Sequence, residues 1–246
     1  MENEITSLFG IARIPNTIRA YNKNKMKENR HYELTDETIE FDGHTLHRII
    51  CTKSFRSVLK GTLGGFIEGY ENLEGTAWVG DTAKVYDGAV VSGQAFVAGN
   101  ACVSRYAYIS DRAIIGDNAS VSGNTLLIGG NVHIYGYATV RPSSGLGLII
   151  RGSACIGGYA VIESNFDYIV FKNWWSSGRY FTWTRSNDMW AVGCFYGTGK
   201  ELIARAYKDS YFSGQEYERV VKYVEQIKKD SKPSLWQRVK KMLTGK

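Results

Sequence analysis

Ala77–Ser122 reads AWVGDTAKVYDGAVVSGQAFVAGNACVSRYAYISDRAIIGDNASVS, and its spacing decides the fold. Ala stands at 77, 83, 89, 95, 101, 107, 113 and 119, eight times at a spacing of six. Two positions after each comes a branched aliphatic: Val79, Val85, Val91, Val97, Val103, Ile109, Ile115 or Val121. Side chains alternate along a strand, so positions one and three of each hexad share a side, and a small Ala beside a branched Val fills a narrow interior. Gly or Asp at position five suits the backbone angles of a tight corner. Three such sides make one coil of a parallel β-helix.

Outward from this stretch the series continues through Thr125/Leu127 and slips by one residue at Gly129-Gly130. It resumes as Val132/Ile134 and Ala138/Val140, then slips by four across residues 141–147. It ends as Leu148/Ile150, Ala154/Ile156 and Ala160/Ile162. The 14 hexads predict between four and five coils, a rod of roughly 22 Å at about 4.8 Å per rung. The first coil would expose unpaired backbone and an apolar cross-section, so a cover is required. Residues 31–34, 38–42 and 45–52 alternate like short strands around the Asp42-Gly43 turn and supply it.

At these hexads the chain resembles the left-handed β-helix family of hexapeptide-repeat proteins, and the left hand is what that resemblance implies. His31-Tyr-Glu-Leu-Thr-Asp36, Leu46-His-Arg-Ile-Ile50, Phe55 and Gly61-Thr-Leu-Gly-Gly-Phe-Ile-Glu68 resemble the N-terminal cap of uncharacterised phage and enterobacterial β-helix proteins labelled acyltransferases. That label follows the fold, and fold does not fix function. The expected class is therefore mainly β: a left-handed parallel β-helix (75–165) with a β cap (31–74) and a small C-terminal α+β domain (166–230). An N-terminal segment (1–30) and a basic amphipathic tail (231–246) flank these units.

Position two of each hexad points outward, and every third hexad lies on the same face. Face one then carries Trp78, Phe96, Ile114, His133 and Cys155. Face two carries Lys84, Cys102, Ser120, Thr139 and Val161, and face three Val90, Tyr108, Leu126 and Ile149. Faces one and three are apolar outside, and stripes of that size are usually covered. The candidate covers are the N-terminal segment (Leu8, Phe9, Ile11, Ile14, Ile18), the C-terminal domain, or another subunit. The resemblance favours a homotrimer.

Beyond Ile162 the composition changes. Four of six Trp (174, 175, 183, 190) fall within 17 residues. Residues 168–172, 179–185 and 189–195 read as strands, with Ser186-Asn187-Asp188 as a turn. Thr198-Gly-Lys-Glu201 is a capping box opening a helix to about Asp209. Tyr217, Val220, Val221, Val224 and Ile227 mark a second helix over 214–229. The strand around Trp190-Ala-Val-Gly-Cys-Phe195 resembles a C-terminal module of other phage-encoded proteins. The cluster Trp174, Trp175, Arg179, Tyr180, Trp183 and Arg185 has two readings. One is a ligand or partner surface, in which aromatic faces stack and Arg pairs with phosphate. The other is the core that so small a domain needs.

Charge and composition narrow the function classes. Residues 228–246 hold seven Lys/Arg against one Asp, residues 1–30 six against three, and the middle 17 against 20. The basic balance thus belongs to the two ends, and the body is not a nucleic-acid surface by charge. In the tail, Leu235, Trp236, Val239, Met242 and Leu243 share one helical face, suited to docking on a membrane surface or a partner or, the reading preferred for so short a helix, to packing on the protein's own body. Four dispersed Cys without a CxxC read as reduced thiols, neither a disulfide nor a zinc framework. The N-terminus Met1-Glu2-Asn3-Glu4 lacks a secretion signal, and no apolar run suffices for a membrane span. A cytoplasmic protein of a bacterial host cell is expected, without cofactor or metal.

Hexapeptide acyltransferases use a His general base between subunits with an acyl-thioester cofactor. Among four His, only His133 lies on the rod, and base chemistry needs an orienting partner that no neighbour supplies in sequence. The reading preferred is a non-catalytic binding protein of phage or prophage type, whose rod presents the C-terminal domain to a host protein. The alternatives are a sponge for a small anionic nucleotide, and an acyltransferase based on His133.

Overall fold

The computed structural model describes residues 30–143 and 147–230. The N-terminal cover formed by Leu8 to Ile18 and the amphipathic tail therefore lie outside the described residues. Strands β1 (Tyr32–Phe41) and β2 (His44–Cys51) form a hairpin, with Asp42 and Gly43 both at positive φ in its turn. Strand β3 (Leu63–Ile67) pairs antiparallel with β2 and parallel with the first coil, Phe66 and Ile67 opposite Lys84 and Val85. Fourteen strands of two or three residues follow, β4 to β17, from Trp78–Val79 to Val161–Ile162.

The short strands stack in three parallel ladders. One, the side of face one, holds five strands from Trp78–Val79 to Cys155–Ile156, so the protein is a parallel β-helix of about five coils. Each inward Ala and Val or Ile of the hexads is sealed from solvent. Corner aspartates do two things at once. Asp81, Asp111 and Asp117 adopt positive φ, and their carboxylates accept the N–H of Gly99, Gly130 and Gly136 in the next coil. A short polar side chain that bonds locally lowers the cost of that backbone conformation.

One placement is corrected. Leu126 pairs with Leu148 and Leu127 with both Tyr108 and Ile149. Leu126 and Ile128 are thus the inward pair, with Leu126 only 2% exposed, and Leu127 takes the outward place on face three. The one-residue slip therefore occurs around Gly123-Asn124, not at Gly129-Gly130. Gly123 carries it with φ +147, a conformation that L side chains rarely adopt.

Both ends of the rod are closed, by opposite chemistry. Between coils each outward residue donates its N–H to a carbonyl one coil further on, as Phe96 does to Ala113 and His133 to Ala154. The first coil is left with carbonyls and the last with N–H groups. At the first, the Tyr32 hydroxyl donates to Leu73 O (2.9 Å) and His31 Nε2 donates to Ala77 O (3.1 Å). The His31 ring also packs at a tilt against Phe55, and both rings lie beside Trp78. At the last, one acceptor meets each side. Asn165 Oδ1 accepts Ile149 N–H (3.3 Å), Thr182 Oγ1 accepts Cys155 N–H (2.8 Å) and Ser186 Oγ accepts Val161 N–H (2.7 Å).

Two of those acceptors belong to an antiparallel sheet of β18 (Tyr168–Lys172), β19 (Tyr180–Thr184), β20 (Met189–Val192) and β21 (Phe195–Gly197), in that order or to its β19–β20 turn. Alternation along β19 gives the sheet two jobs. Thr182 faces the rod, while Phe181 and Trp183 face helices α1 (Gly199–Asp209) and α2 (Tyr211–Asp230). The helices complete an aromatic core with Trp190, Leu202, Tyr217, Val221 and Val224. The Thr198–Glu201 capping box starts α1.

Candidate functional site

The outward faces are unequally free. Trp78 of face one is sealed at 2% exposure beneath the cap, and Cys155 is held by Thr182 of the C-terminal sheet. Phe96, Ile114 and His133 lie between these covers. On face three Val90, Tyr108, Leu127 and Ile149 form a half-exposed apolar column.

His133 sits outward with its ring 4.9 Å from that of Tyr135. Partial desolvation lowers its pKa, opposed by the Asp117 carboxylate. Among the described residues no carboxylate hydrogen-bonds to it, so nothing fixes its tautomer as a general base requires. The oriented histidine is His44, in the cap. Its Nδ1 lies 2.8 Å from Glu68 Oε1, while Glu68 Oε2 accepts Asp87 N–H at 2.7 Å. His44 opens β2 and Glu68 directly follows β3, 24 residues on, so no local spacing in the sequence signals this pair.

The Glu68 hydrogen bond raises the His44 pKa above 6.5. Burial works against the Glu68 carboxylate, but hydrogen bonds from His44 and Asp87 outweigh it and lower its pKa below 4.5. His44 therefore adds stability fully below pH 6.5, lost as pH rises through its folded value. Glu68 adds stability above pH 4.5, lost as pH falls through its own. The cap should be firmest between these limits. Hydrogen exchange in β1–β2 measured from pH 4 to 9 checks this, and His44→Gln should flatten the decline on the alkaline side.

The six cluster residues do not converge. Trp183 is a core residue: it pairs opposite Trp190 under the helices, and its indole N–H donates to Asp188 Oδ1. Its reading as a contact residue is corrected, because β19 alternation turns it toward α1 and α2. Arg185, exposed, donates from Nε to Phe166 O at 3.1 Å and lies over the Trp183 ring. Trp175 packs edge-on against Phe181 and Tyr217 at the margin of the core. Trp174, Arg179 and Tyr180 are exposed.

Helix α2 supplies residues that the sequence reading missed. Trp174 is 70% exposed and its ring lies 6.5 Å from that of Phe212 (51%), next to Tyr211 (71%). Exposed residues at the first turn of a helix lie outside its apolar periodicity, so no pattern flags them. In the same loop as Trp174, the Trp175 indole N–H and Asn173 Oδ1 are buried without a hydrogen-bond partner among the described residues.

Two surface grooves, of about 430 and 520 Å³, are open to solvent. One follows a rod corner at Gln94, Asp111, Arg112 and Asn131, and the other follows α1 at Glu201, Arg205 and Lys208. Neither is lined by His133 or the Trp/Arg cluster. Among the described residues no group of three or more His, Cys, Asp or Glu could hold a metal ion, and no helix is long and apolar enough to cross a membrane.

Fold and site together define a class: a β-helix rod, closed at both ends, with an aromatic surface on its C-terminal unit. No family model matches the chain, and no curated protein matches it significantly.

Proposed function

We propose that the protein is a non-catalytic binding protein of phage or prophage type. A left-handed coil of hexapeptide kind holds the C-terminal unit rigidly and presents it to a host protein, such as a component of host defence. The observation that carries this reading is the exposed set Trp174, Tyr211 and Phe212. Large aromatics left in water add little to folding stability, and such residues are the usual anchors of protein interfaces. The unit is fastened to the rod by Thr182, Ser186 and Asn165, so its orientation is set before any partner arrives. That preorganisation lowers the entropic cost of binding. The phage type rests on the resemblance of the cap and of the Trp190–Phe195 strand.

The test is retention of host proteins by the immobilised full chain and by its Trp174→Ala/Phe212→Ala variant. One host protein should be held by the wild type and bound at least about 30-fold more weakly by the variant, the effect of losing about 2 kcal/mol at a hot spot. Equal retention by both, or no retained protein, sinks the reading.

Self-association as a homotrimer is a second reading, favoured by the continuous column Val90–Tyr108–Leu127–Ile149. Tyr108→Glu would break such a trimer, read as a threefold fall in sedimentation mass.

A further inference from the structure

Strand β18 is an open edge. Asn173 N–H donates to Arg179 O and Arg185 N–H to Asp167 O, both at 2.8 Å, which makes the odd-numbered residues of β18 the hydrogen-bonded partners of β19. The N–H and C=O groups of Tyr168, Val170 and Lys172 therefore project to the opposite side, where no strand of the described residues stands. Tyr168-Ile-Val-Phe-Lys172 is apolar and strongly β-forming. An edge of this kind pairs with another strand unless it is guarded by charge or irregularity. The edge strand β1 shows such guarding, with Glu33, Asp36, Glu37 and Glu40 and a register shift between Leu34 and Thr38. In β18 the single charge is Lys172, at its end.

We propose that β18 pairs antiparallel with β18 of a second copy about a two-fold axis at Val170, joining two four-stranded sheets into one. The segment is self-complementary in this register. Val170 faces the partner's Val170, and Tyr168 faces the partner's Lys172, so no like charges oppose one another. All three free residues on each side are used, giving about six backbone hydrogen bonds between copies. Positions 166 and 174 are equally far from 170, so Phe166, 77% exposed, comes beside the partner's Trp174 at both ends of the joint. A shift of the axis to Lys172 would set two ammonium groups face to face and forfeit most of the pairing. The joint stands apart from the host-binding reading, but it would make the aromatic surface continuous across two copies.

Sedimentation equilibrium of the full chain carrying Tyr108→Glu, which removes any face-three contact between rods, should give twice the chain mass of 27.5 kDa. Val170→Pro removes an N–H that makes no bond inside the sheet, a place where an edge strand tolerates Pro. It should halve the mass with an unchanged circular dichroism spectrum. Should that variant fail to fold, Val170→Cys decides. Facing Cα atoms about 5.5 Å apart suit a disulfide, and oxidation should link position 170 of one copy to position 170 of the other. A monomeric Tyr108→Glu chain overturns the proposal, as does an assembly that Val170→Pro leaves intact or the absence of a link at position 170. No host protein enters these measurements, so a dimer without a host partner sinks only the binding reading.

Discussion

A chain carrying Asn165→Ala, Thr182→Val and Ser186→Ala is expected to lose the close attachment of its C-terminal unit. Each substitution removes the acceptor of one N–H in the last coil: Ile149, Cys155 or Val161. Only the Cys155 bond is partly buried, and its loss costs about 1–2 kcal/mol, while the two exposed bonds, whose donors water can reach, contribute about 0.5 kcal/mol each, so the joint loss is about 2–3 kcal/mol. Thr182→Val keeps shape and volume, so that component is electrostatic and not a packing defect. Amide exchange at Ile149, Cys155 and Val161 should quicken about a hundredfold, while Val97 and Ile115 in the middle of the rod keep their protection. Protection unchanged at all three amides would mean that the sheet is held by apolar contact alone.

Ile115→Ala should cost about 3–4 kcal/mol, the range for deleting a fully enclosed branched side chain. Ile115 is sealed between Val97 in the coil before and Ile134 in the coil after. Backbone ladders hold the coils at a fixed separation, so the walls cannot close over the cavity. A loss of that size lowers the melting temperature by roughly 10 °C for a chain of this length. Each coil touches only its neighbours, so the damage should also divide unfolding into two steps, because cooperativity in a stack passes through every interface. Calorimetry reads both effects. A single transition within about 2 °C of wild type would contradict the rigidity of the interior.

Much of this was legible in the residues. The Ala and Val or Ile repeat is a direct image of a three-sided interior, since only a small and a branched side chain fit inward on each short strand. Leu126 shows where such reading stops. In Thr125-Leu-Leu-Ile128 two frames satisfy an aliphatic third position, and only pairing with Leu148 chooses between them. The site was less legible. Alternation separates Trp183 from its neighbours in β19, but which side meets the helices and which the rod depends on the last coil, where Cys155, 27 residues earlier in the chain, bonds Thr182. Phe212 and Tyr211 belong to the exposed turn of a helix whose periodic residues concern only its buried face. Long-range placement, not local pattern, brings them beside Trp174.

The opposite chemistry of the two ends makes the rod editable. Any whole coil ends in the same three N–H groups, so the C-terminal unit would dock on a rod of different length. Strands one coil apart, such as Phe96 and Ile114, are separated by 18 residues. Inserting one coil would move the unit outward by about 4.8 Å, and inserting a single hexad would turn it by about a third of a revolution to the next face. Reach and aim are thus independent settings, and lineages can change either without redesigning the surface at the tip.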